Sequence, residues 1–416
     1  MGKNSKNQNI SFRVIKEKEI DLVFKNGLSE LCCSYYFVNE NDPVEDLARD
    51  LESDLEIFAV AVVDNDMKVT GLLVRREMFD ILGKKFGRDL YHFKKVKKLI
   101  EDHKIFRVFK SFNAKKNIFK AAEQIDDDLS NTNNHYYLLS YNNGFYGIVS
   151  SKDILVYLSR ITQDDLKIAE EIQQNIVKSE SFYDSPCLRI LGYTRMARVV
   201  GGDYYNYFKY SDTNWFICVC DVCGKGTSAA MVTGIINSVI ITYDFRNGLK
   251  DFVIHLNSHI YNTFKLKKFL TAIFIDYNEI TGEMEVFDLG HSMNSANFYI
   301  YKDSSLKVIM QENLNTAIGF KQDLVPKSNK IQLSDNDTIF LCSDGLCDQR
   351  NVDGEFYGID NIERIFKSSQ NKSIKEIKNQ INEDYDFFRA DMPRFDDVTF
   401  MIMEIRLFKN LKDQNN

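Results

Sequence analysis

Four aspartates constrain this chain more than any other feature. Each stands where an apolar, strand-like run ends, marked by a neighbouring glycine or second acid. They are Gly201-Gly202-Asp203-Tyr204-Tyr205, Asp221-Val222-Cys223-Gly224-Lys225-Gly226, Ser343-Asp344-Gly345 and Phe395-Asp396-Asp397-Val398-Thr399. A carboxylate ending a buried strand is costly unless it is paired or binds a cation. Four of them with few histidines nearby favour hard cations with oxygen ligands, Mg2+ or Mn2+. The flanking glycines permit close backbone approach. Gly224 and Gly226 also precede a helical pattern whose first amides can help to hold a phosphate. Asp-Gly alone signals only a turn, so the weight lies in the four together.

Around these aspartates the chain reads as alternating strands. Gly202–Tyr210 and Asn214–Val222 flank a hairpin signal at Ser211-Asp212-Thr213. Further strands are expected at Phe269–Tyr277, Gly282–Leu289, Ala296–Tyr301, Leu306–Met310, Thr338–Cys342 and Val398–Ile405. Helical periodicity marks Ser228–Phe245, Leu249–Lys265, Ile359–Ser368 and Ile374–Phe388. Antiparallel strands with segregated helix pairs predict an α+β domain whose helices cover sheet faces.

The N-terminal third carries an internal repeat. Phe58–Val63, a turn, and Gly71–Leu82 recur as Tyr136–Tyr141, a turn, and Gly147–Leu158, with helical patterns upstream at Pro43–Leu51 and Ala114–Ile125. Between them, residues 84–120 hold thirteen Lys/Arg and three acids, a net +10, which leaves −17 for the rest of a chain totalling −7. Such a stretch can receive a phosphate-bearing ligand or an acidic partner, or can be a solvated helix face. Residues 158–180 read as one helix with a narrow apolar stripe, Leu166, Ile168, Ala169, Ile172 and Ile176, which fits a two-helix seam.

Several classes are excluded. Aromatic residues at 13% rule out global disorder. A pI near 5.6 argues against a nucleic-acid-coating protein. The longest apolar runs, such as Phe216–Cys220, are strand-sized, so no membrane span is expected. Eight cysteines without an export signal point to reduced thiols and a cytoplasmic location.

Taken in order, the motifs resemble the SpoIIE-type branch of the metal-dependent (PPM) serine/threonine protein phosphatases. The resemblance covers about residues 165–406. It includes Ala169-Glu170-Glu171-Ile172-Gln173, the four aspartate motifs, Ala229-Ala230-Met231, Gly290-His291, Ala317-Ile318-Gly319 and Gly354-Glu355-Phe356-Tyr357-Gly358. It implies an αββα sandwich and two Mn2+ or Mg2+ ions. Asp221 would bridge the ions, Asp203 and the Val222 carbonyl would hold one, and Asp344 with Asp396 the other. It also implies phosphate or substrate near Gly202, Gly224, Lys225, Gly226 and His291, and hydrolysis without a protein nucleophile. The implied substrate is a phosphorylated protein, commonly a STAS-domain anti-sigma-factor antagonist in partner-switching signalling. Departures from the branch pattern are Asn206, Cys223, Asp348 and the run Ser292-Met293-Asn294-Ser295.

The repeat is similar to a CBS-domain pair, a module that commonly binds adenine nucleotides. Gly147, Ser150 and Asp153 match its ribose-contacting pattern, whereas the first copy has Val74 and Glu77 there. A purely structural or dimerising pair is the alternative. The expected organisation is an extension 1–34, the CBS-pair module 35–160, a linker helix 158–182 that couples a homodimer, the phosphatase domain 183–407 and a tail 408–416.

Three rival readings are weaker. Gly201-Gly202-Asp203 also occurs in diguanylate cyclases, but that leaves Asp344 and Asp396 unexplained. Cys218-x-Cys220-x-x-Cys223 and His255-x-x-x-His259 suggest metal sites, but the cysteines fall on a buried strand and the histidines lack an adjoining Glu. A phosphatase fold serving only as an inactive scaffold is opposed by the intact aspartates.

Overall fold

The computed structural model describes residues 13–407 apart from 20–21, 130–135, 293–297, 303–304, 309–314 and 370–371. The run Met293-Asn294-Ser295 and the tail lie outside the described residues. The chain divides into two compact units, one ending at Gln163 and the other starting at Asp164.

The first unit realises the repeat as two small sheets. One has the order Lys16–Glu17, Tyr36–Asn39, Ala59–Val63, Val69–Val74; the other has Ser111–Asn113, Tyr136–Tyr141, Gly144–Ser150. In each copy a strand pairs parallel with the next one, across the helix Val44–Ser53 or Ile118–Leu129, and a hairpin follows. Both hairpins slip register at the same place, between Val62 and Val63 and between Leu139 and Ser140. Gly71 and Gly147 occupy equivalent positions. A Cβ on Gly147 would lie 2.2 Å from Cys32 Sγ, and one on Gly71 2.8 Å from an Ile100 methyl. Ala59, Ala61, Leu72, Leu138, Phe145 and Ile148 form an apolar layer shared by the two sheets.

The described residues of the expected extension 1–34 are not separate from this unit. Ile15 is buried in one copy's core and Leu28 in the other's, and Lys16–Glu17 pairs with Tyr36–Asn39. The expected linker helix also begins earlier, as Ser151–Ile176. Ser150 caps it: its Oγ accepts from Asp153 N at 3.1 Å, while its own N–H donates to Asp153 Oδ2 at 3.3 Å. This reciprocal bonding fixes the helix start.

The second unit is two antiparallel sheets between helix pairs. The five-stranded sheet has the order Asp203–Lys209, Asn214–Val222, Leu270–Asn278, Glu283–Leu289, Asn329–Gln332. The six-stranded sheet has Ser305–Val308, Phe298–Lys302, Thr338–Cys342, Val398–Ile405, Leu188–Arg195, Glu180–Asp184. Alternation along Val398–Ile405 builds the layers. Met401 and Met403 enter the core between the sheets, and Phe400 and Ile402 face Ile362, Phe366, Ile377 and Ile381 of the helices Gly358–Ser368 and Ile374–Arg389. The helices Thr227–Thr242 and Leu249–Phe264 cover the other sheet through Val232, Ile236, Phe252 and Leu256. The result is the expected αββα sandwich.

Candidate active site

Sheet register brings the first two aspartates together. Asp203 opens one strand and pairs across the ladder with Asp221, near the end of the next. Asp344 follows strand Thr338–Cys342 after Ser343, and Asp396 precedes strand Val398–Ile405, which pairs with that strand. Each sheet therefore delivers two carboxylates to the same end of the sandwich.

The four act on one another. Burial, then Asp344, Asp396 and Asp397, push the Asp221 carboxyl up to about 7. Burial and Asp221 raise Asp203, and burial and Asp396 raise Asp344. Asp203 is almost fully buried, and its Oδ2 has no hydrogen-bond partner among the described residues. Among the described residues, one cation is in direct contact with the cluster: Lys225 Nζ lies 2.8 Å from Asp396 Oδ2 and also donates to the Phe395 carbonyl.

The loops around the cluster are held by two side chains whose roles the sequence did not announce. Asp397 accepts from Ala197 N and Gly202 N, both at 2.7 Å, so it organises the turn before Asp203. Gln173 clamps Gly201 from the end of the Ser151–Ile176 helix and donates to Thr233 Oγ1 at 3.2 Å. Both residues stand in motifs noted above, but hydrogen-bonding capacity alone carries no positional signal.

The remaining site residues fall in different places. Gly224 and Gly226 have φ of +86° and +75°, which glycine adopts without strain. Lys225 lies between them. The Val222 carbonyl abuts Gly202, 2.8 Å from where a Cβ would stand. His291 is buried, with Nδ1 2.9 Å from Thr271 Oγ1 and Nε2 3.1 Å from the Cys342 carbonyl. It ties strand Leu270–Asn278 to strand Thr338–Cys342 and so braces the two sheets. Arg198, not singled out before, is exposed, with Nη1 3.9 Å from a Cβ position on Gly226.

In the first unit, Ser150 and Asp153 line a cavity of about 500 Å3 with Cys33, Tyr36, Phe58 and Tyr136. Gly147 is not in its wall; the Cys32 contact makes it a packing position. The rival metal readings fail here. Cys218 and Cys220 are buried free thiols, His255 and His259 are exposed, and among the described residues no three His, Cys, Asp or Glu groups form a ready-made metal cage.

Two facing antiparallel sheets flanked by helix pairs give the fold also seen in PP2C-type domains. The SiaA-PP2C domain of Pseudomonas aeruginosa superposes with a TM-score of 0.50 at 17% identity, over 60% of this chain and 98% of that one. Residues 211–406 match the family model described as Stage II sporulation protein E (SpoIIE), and residues 29–84 match that of the CBS domain. The SpoIIE match covers a little under half of the chain, and the CBS match lies ahead of it. Among curated proteins, phosphoserine phosphatase RsbP of Bacillus subtilis is 21% identical over 251 residues, 59% of this chain and 59% of its own length. Protein IcfG of Synechocystis sp. is 22% identical over 267 residues, 57% of this chain and 41% of its own length. The chain therefore spans about three-fifths and two-fifths of those relatives.

Proposed function

We propose that this chain is a Mg2+- or Mn2+-dependent phosphatase acting on phosphoserine or phosphothreonine in a protein, regulated through its N-terminal module. The observation that carries this is Asp221, raised to about 7 by its own burial and by three neighbouring aspartates. Evolution has no stability reason to assemble such a cluster; bound cations turn the mutual repulsion into attraction. The unpartnered Asp203 Oδ2 also supports the reading. Asp203 with the Val222 carbonyl would hold one ion, Asp344 with Asp396 the other, and Asp221 both. Such ions supply an acidified water and neutralise charge on the phosphoryl group. Arg198 and the amides after Gly226 would hold phosphate oxygens, and Lys225 would balance Asp396 when metal is absent. The test is release of phosphate from a phosphoserine peptide with added Mn2+. Hydrolysis should vanish in Asp344→Ala and in excess chelator; full activity in either overturns the proposal.

The likeness to a phosphoserine phosphatase supports a phosphorylated protein substrate, and the proposed identity of that substrate is a STAS-domain anti-sigma-factor antagonist in partner-switching signalling. The cavity bearing Ser150 and Asp153 is offered as the regulatory site, with an adenine nucleotide as its ligand. Exposed Ile168 and Ile172 on the Ser151–Ile176 helix support a homodimer seam. Calorimetry with ATP, ADP and AMP tests the ligand; no heat from any of them removes it.

A further inference from the structure

A cleft of about 300 Å3 in the second unit lies outside the metal cluster. Its walls include Glu170 and Gln174 from the end of the Ser151–Ile176 helix, and Arg195, Arg198 and Arg394 from loops and strand ends. The cations here outnumber their partners. Arg195 and Arg389 share a single carboxylate, Asp386, each at 2.8 Å. Arg394 stands beside both and forms no ion pair among the described residues, and its Nε is buried without a hydrogen-bond partner. Leaving a buried guanidinium donor unsatisfied is costly. Arg394 itself is only partly buried and lines the cleft, so an anion entering there can reach it. Glu170 is the one carboxylate in the wall, and its Oε1 already accepts from Gln174 at 3.3 Å.

The cleft is also close to the chemistry. Arg394 is two residues from Asp396, a span of at most about 7 Å. Arg198 reaches both the cleft and the Gly226 turn. A polypeptide with its phosphoserine at the aspartates must pass the cleft within a few residues. At about 300 Å3 the opening lies at the small end of ligand sites and accommodates one side chain with its waters.

We propose that this cleft binds an acidic side chain of the substrate polypeptide next to its phosphoserine, with Arg394 as the principal contact. This rests on the phosphatase reading above and adds a specificity determinant to it. A carboxylate there would accept from the Arg394 guanidinium in a charge-assisted, partly desolvated bond.

The test uses the full-length chain and a phosphoserine peptide in which single Glu residues are scanned along both flanks, against the all-Ala parent. With Mn2+, at least one Glu position should lower KM about tenfold with kcat little changed, the effect expected for a charged hydrogen bond. Arg394→Gln should erase that difference while leaving hydrolysis of p-nitrophenyl phosphate and the melting temperature as in the wild type. Binding of the same peptides, followed by fluorescence anisotropy in chelator, gives a readout that needs no turnover. Preference lost in Arg394→Gln in both assays supports the proposal. Equal KM and equal affinity for every peptide, or a preference that survives in both Arg394→Gln and Arg394→Ala, overturns it. If no peptide is hydrolysed but the Arg394-dependent binding preference stands, the phosphatase reading fails and the acidic-side-chain site does not.

Discussion

Gln173 holds Gly201 by both halves of its backbone: Nε2 donates to the Gly201 carbonyl at 2.8 Å, and Oε1 accepts from the Gly201 N–H at 3.0 Å. The side chain is buried, so water cannot replace it. Gln173→Leu strands two backbone groups and should cost about 2–4 kcal/mol in denaturant unfolding. Because Gly201 and Gly202 lead into Asp203, activity at a temperature where the variant is folded should fall further than stability explains. Activity equal to wild type would show that the clamp only stabilises.

Adjacent acids at 396 and 397 should respond oppositely. Asp397 bonds two loop amides, so Asp397→Ala should cost about 2–4 kcal/mol. Asp396 belongs to the repelling cluster, and Asp396→Ala should leave metal-free stability near wild type while abolishing metal-dependent hydrolysis. Unfolding curves recorded in chelator for both variants decide this.

The raised Asp221 group gives stability a pH slope of defined sign. Its folded value near 7 lies above the unfolded one, so between about pH 4 and 7 the metal-free native state binds more protons than the unfolded state. Metal-free stability should therefore fall as pH rises through that window. Saturating Mn2+ requires the ionised carboxylate, so it should stabilise more at pH 8 than at pH 5. Asp221→Asn should flatten both trends. Melting temperatures across pH with and without Mn2+ provide the check.

Two glycines separate space from backbone conformation. A Cβ at Gly345 would lie 2.0 Å from the Asp397 carbonyl, so Gly345→Ala must displace the loop beside Asp344 and should cost about 3 kcal/mol or more. Gly354 has φ +82° and nothing within 4 Å, so Gly354→Ala should cost only the left-handed penalty, about 1 kcal/mol. Chemical denaturation of both variants should show the ordering; reversal would contradict the packing at Gly345.

The acidic cluster was legible because strand-end aspartates beside glycines announce themselves in one dimension. The sandwich was legible because strand alternation and helix periodicity do the same. Other features carried no such mark. Lys16–Glu17 is too short to show a period, so residues 13–34 read as an extension although Ile15 and Leu28 are core residues. The Ser151–Ile176 helix read as starting at 158 because its first turns follow a strand without a Gly or Pro break. Its stripe suggested a two-helix seam; Ile168 and Ile172 are exposed, while the second unit buries Gln173 and Val177. His291 read as a substrate neighbour because Gly-His sits at a strand end, but both ring nitrogens are spent inside.

The Ser150–Asp153 cap gives the first-unit cavity an internal competitor. Both residues face the cavity, and each already satisfies the other at the first turn of the helix. A ribose hydroxyl that recruits Asp153 does so by dissolving that cap, at about 0.5–2 kcal/mol. Occupancy would then be written as fraying of residues 151–154, a change readable by amide hydrogen exchange at those positions alone.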